Sequence, residues 1–373
     1  MANLNIENLT KTFKGGITAV ADLSLNVGDG EFLVLVGPSG CGKTTTLRMI
    51  AGLEPLTAGR IRIADAVVND LEPQQRDVAM VFQGYPLYPH MSVFGNLAFP
   101  LQMRRESAAV IDARVRAVAS RLSIDGLLDR KPATLSGGQC QRVALGRAMI
   151  RRAEVYLFDE PLSSIDPSLR ALARAELKSL RGDFGGACMY VTHDQAEAMA
   201  LADRICVLRR GRVQQIGTPS EIYDEPSNRF VAGFFGVPAM NFFRGQLVFR
   251  QGTLAFVNEE IRLGLSYSPD EIDRACEGID VVMGVRPEYM SIVTAVKPVE
   301  GTVQGRVRLV EYLGPQTVIY LEGSRGTRFT VQVPGRSRLR NGDRTAVSIA
   351  PQCVHLFEPG ECGRNIVPAS KRD

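Results

Sequence analysis

FLVLVGPSGCGKTTTL, Phe32 to Leu47, joins a short apolar run, a glycine-rich turn and the start of a helical pattern. Five consecutive apolar residues that stop at a turn suit a strand buried on both faces. Gly37 to Thr44 then matches G-x-x-x-x-G-K-[ST], with a strand before it and a helix (Thr45–Ala51) after it, the setting this pattern requires. In such a loop, here Gly37, Pro38, Ser39, Gly40, Cys41 and Gly42, the glycines let backbone N–H groups turn toward a phosphate chain. The helix N-terminus adds partial positive charge. Lys43 is placed to reach the β- and γ-phosphates, and Thr44 to offer a hydroxyl to Mg²⁺; Thr45 completes the expected nucleotide-binding run.

A phosphate cradle that does chemistry needs a carboxylate for the metal and a group that activates water. Working outward, YLFDEP (Tyr156–Pro161) ends a second apolar run with Asp159 and Glu160, at the strand end where α/β sheets place ligands. Asp159 is expected in the Mg²⁺ shell and Glu160 beside an attacking water. A third run, ACMYV (Ala187–Val191), leads into Thr192, His193, Asp194 and Gln195. Thr192 and Gln195 fit a capping box, which predicts a helix start with His193 in its first turn. There the helix dipole favours a neutral imidazole able to contact a γ-phosphate or water. The alternative for His193 is a solvated loop residue.

LSGGQCQRVALGR (Leu135–Arg147) poses a different problem. Ser136 and Gln139 form a capping box, Gly137 and Gly138 leave N–H groups bare, and Val143, Leu145, Ala148 and Met149 make an apolar stripe. This helix start can hold an anion, yet Lys43 and Asp159 already surround one phosphate chain.

Two textures divide the chain. Up to about Gly236, FLVLV, VAMVF (Val78–Phe82), VYLF (Val155–Phe158) and ACMYV alternate with helical patterns, which indicates an α/β sheet covered on both faces. Between Ser92 and Ile150 three helical patterns follow one another and no strand is expected. Beyond Gly236 the runs 246–257, 280–286, 305–313, 317–322, 328–333 and 345–349 are short and broken by Gly, Pro and Asn, as in a small all-β domain or barrel. The expected division is 1–235, with a helical subdomain at about 88–152, and 236–373.

Composition excludes several classes. The 373 residues suffice for two cores, and 45% hydrophobic with 23% charged residues is ordinary for a globular protein. A net charge of +4, with both signs interspersed, gives no nucleic-acid footprint. Seven cysteines without a C-x-x-C pair suit reduced thiols rather than a disulfide framework or zinc site. MANLNIENLT has neither a basic nor an apolar run, so no signal peptide is expected, and no stretch reaches the ~20 apolar residues of a membrane span.

LSGGQ between the phosphate loop and the Asp159 strand, followed by Ser163-Ser-Ile-Asp166 and His193, resembles the nucleotide-binding subunit of ATP-binding cassette (ABC) transporters. The resemblance implies an α/β P-loop cassette with a helical subdomain, and a head-to-tail dimer in which Ser136, Gly137, Gly138, Gln139 and Asp166 of one copy meet the ATP held by the other. It places Gln83, in Val81-Phe-Gln-Gly-Tyr-Pro-Leu-Tyr-Pro-His-Met-Ser-Val93, near the metal as a sensor of membrane subunits. It puts Phe13 on the adenine, a core phenylalanine being the alternative. The fragments 283–288, 310–315, 333–338 and 349–357 resemble the C-terminal appendage of the maltose/glycerol-phosphate class of importer ATPases, an OB-like barrel that holds the dimer and in some members receives a regulator. The class implies ATP hydrolysis at the cytoplasmic face of the membrane, two integral permease subunits, an extracytoplasmic solute-binding protein, and a carbohydrate, polyol or glycerol-phosphate cargo. The second cassette is a copy of this chain or a close paralogue. Chromosome or repair ATPases of the superfamily would carry a coiled coil or zinc module, translation-associated ones a second cassette, and exporters fused spans. Ile165 in place of leucine, Cys140 after the signature, and Gly185-Gly186 depart from the pattern; a thiol at Cys140 is expected beside the second copy's phosphate.

Overall fold

The computed structural model describes residues 2–250, 253–267, 278–293 and 300–367. The chain divides into two compact units, Met1–Pro219 and Ser220–Asp373.

In the first unit the elements run β1 (Ala2–Thr12), β2 (Thr18–Gly28), β3 (Phe32–Val36), α1 (Lys43–Ile50), β4 (Ala58–Ile63), β5 (Ala66–Val67) and β6 (Val78–Val81). There follow α2 (Val93–Met103), α3 (Ala108–Arg121), α4 (Gly137–Met149), β7 (Val155–Asp159), α5 (Pro167–Leu180), β8 (Ala187–Thr192), α6 (Gln195–Leu201), β9 (Arg204–Arg209) and β10 (Arg212–Gly217). One sheet has the order β10-β9-β3-β8-β7-β6, parallel except for the β10–β9 pair. The four runs read as strands from sequence are its β3, β6, β7 and β8, and every residue of β3, β7 and β8 is buried. Full burial explains their unbroken apolar character, since strands covered on both faces have no polar side. Because these strands are parallel, the loops after β3, β8, β7 and β6 lie side by side along one sheet edge.

A second, antiparallel sheet, β2-β1-β4-β5, was not legible in the sequence. Its Leu4, Ile6, Leu9, Val20, Leu23 and Ile61 share one core with Leu33 and Leu35 of β3, Leu157 of β7, Met189 of β8 and Leu47 of α1. Each such side chain contributes about 1.5–3 kcal/mol on burial, so this sheet and α1 clamp the phosphate loop from behind. The three helices expected between Ser92 and Ile150 are α2, α3 and α4, each capped by a serine: Ser92, Ser107 and Ser136 accept from the N–H groups of Gly95, Val110 and Gln139.

The second unit carries most of α7 (Pro219–Asp224), then α8 (Arg229–Phe234), β11 (Asn241–Arg250), β12 (Thr253–Val257), β13 (Arg262–Gly264), β14 (Asp280–Val285), β15 (Met290–Val293), β16 (Thr302–Tyr312), β17 (Gln316–Glu322), β18 (Arg328–Pro334), β19 (Arg344–Ile349) and β20 (Val354–Phe357). The small all-β, OB-like fold expected here consists of two five-stranded antiparallel sheets, β13-β12-β11-β14-β20 and β15-β19-β16-β17-β18. Phe243, Phe256 and Met283 of one sheet and Ile319, Phe329 and Val347 of the other belong to a single core. One expectation is corrected: 246–257 is not one strand but a hairpin, with Gln246 paired to Val257 and Arg250 to Thr253. Residues 251 and 252 of that run lie outside the described residues.

Candidate active site

The phosphate loop leaves β3 through Gly37, at φ 155°, and bends through Gly40 (76°) and Gly42 (105°). A Cβ on Gly37 would stand 2.2 Å from the carbonyl oxygen of Leu208, and one on Gly42 2.4 Å from that of Ala19. Both glycines are therefore required by close backbone approach as well as by dihedral angle. The helix that follows starts at Lys43 rather than Thr45. The Lys43 side chain is buried and turns back over the loop, its Nζ donating to the carbonyls of Gly37 (2.7 Å) and Pro38 (3.1 Å). Cys41 is buried beside it, and burial pushes its thiol pKa up against the opposing pull of Lys43.

The loops after β7, β8 and β6 close on the same edge. Thr44 Oγ1 donates to Asp159 Oδ1 at 3.1 Å, so the two expected metal-binding oxygens already touch. Burial raises the Asp159 carboxyl pKa; the Thr44 hydrogen bond opposes this and Glu160 adds to it. Glu160 sits at φ 46°, its N–H donating to the Val191 carbonyl at 3.0 Å and its Oε2 lying 3.1 Å from His193 Nδ1. The two side chains are thus within hydrogen-bonding reach, with Nδ1 donating to the carboxylate when Glu160 is ionised. Gln83 makes a long contact, Nε2 to Ser163 Oγ at 3.5 Å, and that hydroxyl donates to the Glu160 carbonyl at 2.8 Å.

The capping box expected at Thr192 is corrected. Asp194 is the N-cap of α6, accepting from the N–H groups of Ala196 and Glu197, so His193 precedes the helix rather than occupying its first turn. Thr192 closes β8 and spends its hydroxyl on the buried Glu197 carboxylate at 2.7 Å, beside the Tyr190 hydroxyl at 2.8 Å. The outward placement of His193 thus follows from an aspartate cap and a buried anchor for its neighbour.

Other candidates stand apart from this cluster. Ser136 and Gln139 make the expected capping box, and nothing lies within 4 Å of where a Cβ of Gly137 or Gly138 would be. Asp166 caps α5, and the hydroxyl and N–H of Ser168 hold its carboxyl below the usual range. No hydrogen bond joins Ser136–Gln139 or Asp166 to Lys43, Asp159 or Glu160 among the described residues. Phe13 is 40% exposed with Lys11 Nζ 5.0 Å from its ring centroid, which rules out the core reading of that residue. Cys140 is half-buried with its thiol raised by burial, and Ile165 is buried. Gly186 has a packing reason, since a Cβ there would lie 2.3 Å from the Glu154 carbonyl. Two further residues build the site: Glu197, which had no role assigned from sequence, and Tyr85, expected with 86–90 to present a groove to a membrane subunit but found buried with its hydroxyl donating to the Pro161 carbonyl.

Comparison with known proteins decides the family. Residues 20–163 match the ABC transporter family, and residues 283–357 match the TOBE domain. The trehalose/maltose import ATP-binding protein of Thermococcus litoralis is 47% identical, over 96% of this chain and 98% of its own. The chain belongs to the ABC transporter family. Two further ABC relatives are the sn-glycerol-3-phosphate import ATP-binding protein of Psychromonas ingrahamii (45% identical; 96% of this chain, 94% of that one) and the xylose/arabinose import ATP-binding protein of Haloferax volcanii (46%; 97% and 95%). A dimeric ATP-binding cassette solved in a post-hydrolysis state with ADP and phosphate is 31% identical, with a TM-score of 0.52 over 58% of this chain and 98% of its own. As an ABC ATP-binding subunit the chain is an ATPase, and its family works as dimers with membrane partners. No helix among the described residues is long and apolar enough to cross a membrane.

Proposed function

We propose that this ABC subunit powers uptake of a carbohydrate, polyol or glycerol phosphate, hydrolysing ATP at a site completed by a second copy or a close paralogue. The observation that carries the reading is the convergence of Lys43, the Thr44–Asp159 pair and the Glu160–His193 pair on one sheet edge. Lys43 exchanges the Gly37 and Pro38 carbonyls for phosphate oxygens. Residues 37–45 enclose the phosphates and Phe13 stacks on the base. Glu160 orients and polarises water, and His193, its ring aimed by Glu160, steadies the γ-phosphate. Hydroxyl, carboxylate and amide oxygens from Thr44, Asp159 and Gln83 are the hard donors Mg²⁺ prefers, and two of them are already in contact. Held by Thr44, Asp159 and Gln83, Mg²⁺ would supply positive charge against the charge that develops on the phosphates.

Ser136, Gly137, Gly138, Gln139 and Asp166 meet the second copy's ATP. A groove of about 770 Å³ in the first unit, lined by Phe82, Tyr88, Phe99, Met103, Arg104 and Arg147 among others, supports docking of a short helix from each of two permease subunits. The chain then works at the cytoplasmic membrane face, served indirectly by an extracytoplasmic solute-binding protein. The functional boundary is drawn at 235/236, with 236–373 holding the dimer and offering a surface to a regulatory protein. The names and extent of the import relatives support this part of the reading. Glu160→Gln tests the chemistry: ATP binding is retained while turnover falls about a hundredfold or more and a closed dimer accumulates in gel filtration with ATP. Near-normal turnover would remove Glu160 from its role.

A further inference from the structure

We propose that Tyr85 is a positioning residue for Glu160: its hydroxyl, bonded to the Pro161 carbonyl, fixes the backbone from which the Glu160 carboxylate is aimed. The proposal rests on the catalytic reading of Glu160. At φ 46° Glu160 occupies a conformation that residues with a Cβ seldom adopt, and such residues persist only where their surroundings hold them. Three bonds from its own strand neighbour and turn do part of this. Its N–H is held by Val191, and its carbonyl accepts from Ser163 N (3.1 Å) and Ser163 Oγ (2.8 Å). The next carbonyl along, that of Pro161, is served by Tyr85 and by no other donor among the described residues.

Tyr85 comes from the other loop, the one that carries Gln83, and its geometry is built for the reach. Gly84 (φ 85°) and Tyr85 (φ 49°) are both left-handed, which turns the tyrosine inward until it is 7% exposed while Gln83 stays at the surface. Behind it the chain is pinned: the Tyr85 carbonyl accepts from Leu87 N at 2.7 Å and the Pro86 carbonyl from Arg147 Nη1 at 2.8 Å. The hydroxyl is therefore presented by a fixed loop to a residue adjacent to the proposed catalytic carboxylate. A buried tyrosine that only fills space would need no such donor.

Steady-state ATP hydrolysis by the full chain decides the matter. Tyr85→Phe keeps the ring and removes the donor; kcat should fall about tenfold or more, since small misplacements of a reacting group are costly, with KM for ATP changed less than about twofold. In a Glu160→Gln background the same change should alter the residual single-turnover rate less than about twofold, because both act through one group. Placing p-aminophenylalanine at position 85 keeps ring and donor and should restore kcat. Wild-type kcat in folded Tyr85→Phe, or an equal further loss in the Glu160→Gln background, overturns the proposal. If Tyr85→Phe does not accumulate, p-methylphenylalanine at position 85, which fills the hydroxyl's place without a donor, is compared with the p-amino variant: a tenfold lower kcat in the p-methyl protein alone supports the proposal, and equal kcat in the two overturns it. The two readings separate cleanly. An active Glu160→Gln removes the catalytic assignment; an inactive Glu160→Gln beside a fully active Tyr85→Phe removes only the role given to Tyr85.

Discussion

Asp159 shows how one residue is set against the fold for the sake of the site. Its carboxyl is buried, and burial holds its pKa above the unfolded value, so the folded chain binds that proton more readily than the unfolded one. Stability then falls as pH rises through the interval between the two pKa values, and the ionised form is a standing cost at neutral pH. Asp159→Asn removes the charge while its amide oxygen still accepts from Thr44. Nucleotide-free Asp159→Asn should therefore melt at or above the wild-type temperature at pH 7, with the difference shrinking as pH is lowered toward 4. Its magnesium-dependent hydrolysis should drop about a hundredfold or more. A melting temperature clearly below wild type would show that Thr44, Arg48 and Lys43, which favour the ionised carboxylate, outweigh the cost of burying it. Most of these residues could be found in the sequence because phosphate chemistry fixes their spacing. The contact between Glu160 and His193 could not, because it depends on two strands being neighbours, and nor could Tyr85, whose role depends on a left-handed turn.

At the scale of elements, what the sequence revealed tracks burial. β3, β7 and β8 are buried throughout and stood out; the β1–β2 hairpin did not, though its inward residues Leu4, Ile6, Leu9, Val20 and Leu23 are as deeply buried. Its register slips between Ile6 and Leu9, where Asn8 and Asp22 sit at φ 49° and 55° and Asn8 Nδ2 donates to Asp22 Oδ1 at 2.7 Å. Such irregularities break the two-residue alternation by which a half-buried strand is recognised. The helical insertion depends on an equally local device. Asn96 of α2 is fully buried, accepts from Tyr88 N at 2.8 Å, and donates to the carbonyls of Tyr88 (3.1 Å) and Ser92 (3.0 Å). It staples one wall of the groove to the helix. Asn96→Ala leaves the Tyr88 N–H without its partner, while the Tyr88 and Ser92 carbonyls keep the N–H groups of Met91 and Asn96; it should lower unfolding stability by about 1–2 kcal/mol in urea titrations, with amide exchange at Tyr88 accelerated. Unchanged exchange there would mean that the wall is held by other contacts.

Each unit has its own large core among the described residues, and the proposed catalytic machinery is divided between copies. Most of that machinery is recorded in internal contacts: Gly37 and Gly42 cannot change without striking backbone, and Asp159 has a partner at 3.1 Å. Gly137 and Gly138 are different. They lie in the first turn of α4, at ordinary dihedral angles, facing open space. Gly138→Ala should leave stability unchanged or raise it by up to about 1 kcal/mol, as alanine favours a helix, while ATP hydrolysis falls about tenfold or more through crowding at the other copy's phosphate. A screen for soluble, heat-resistant variants would therefore pass changes that a screen for transport rejects. On the proposed reading those two glycines answer to a second molecule, and no inventory of how this chain folds contains that demand.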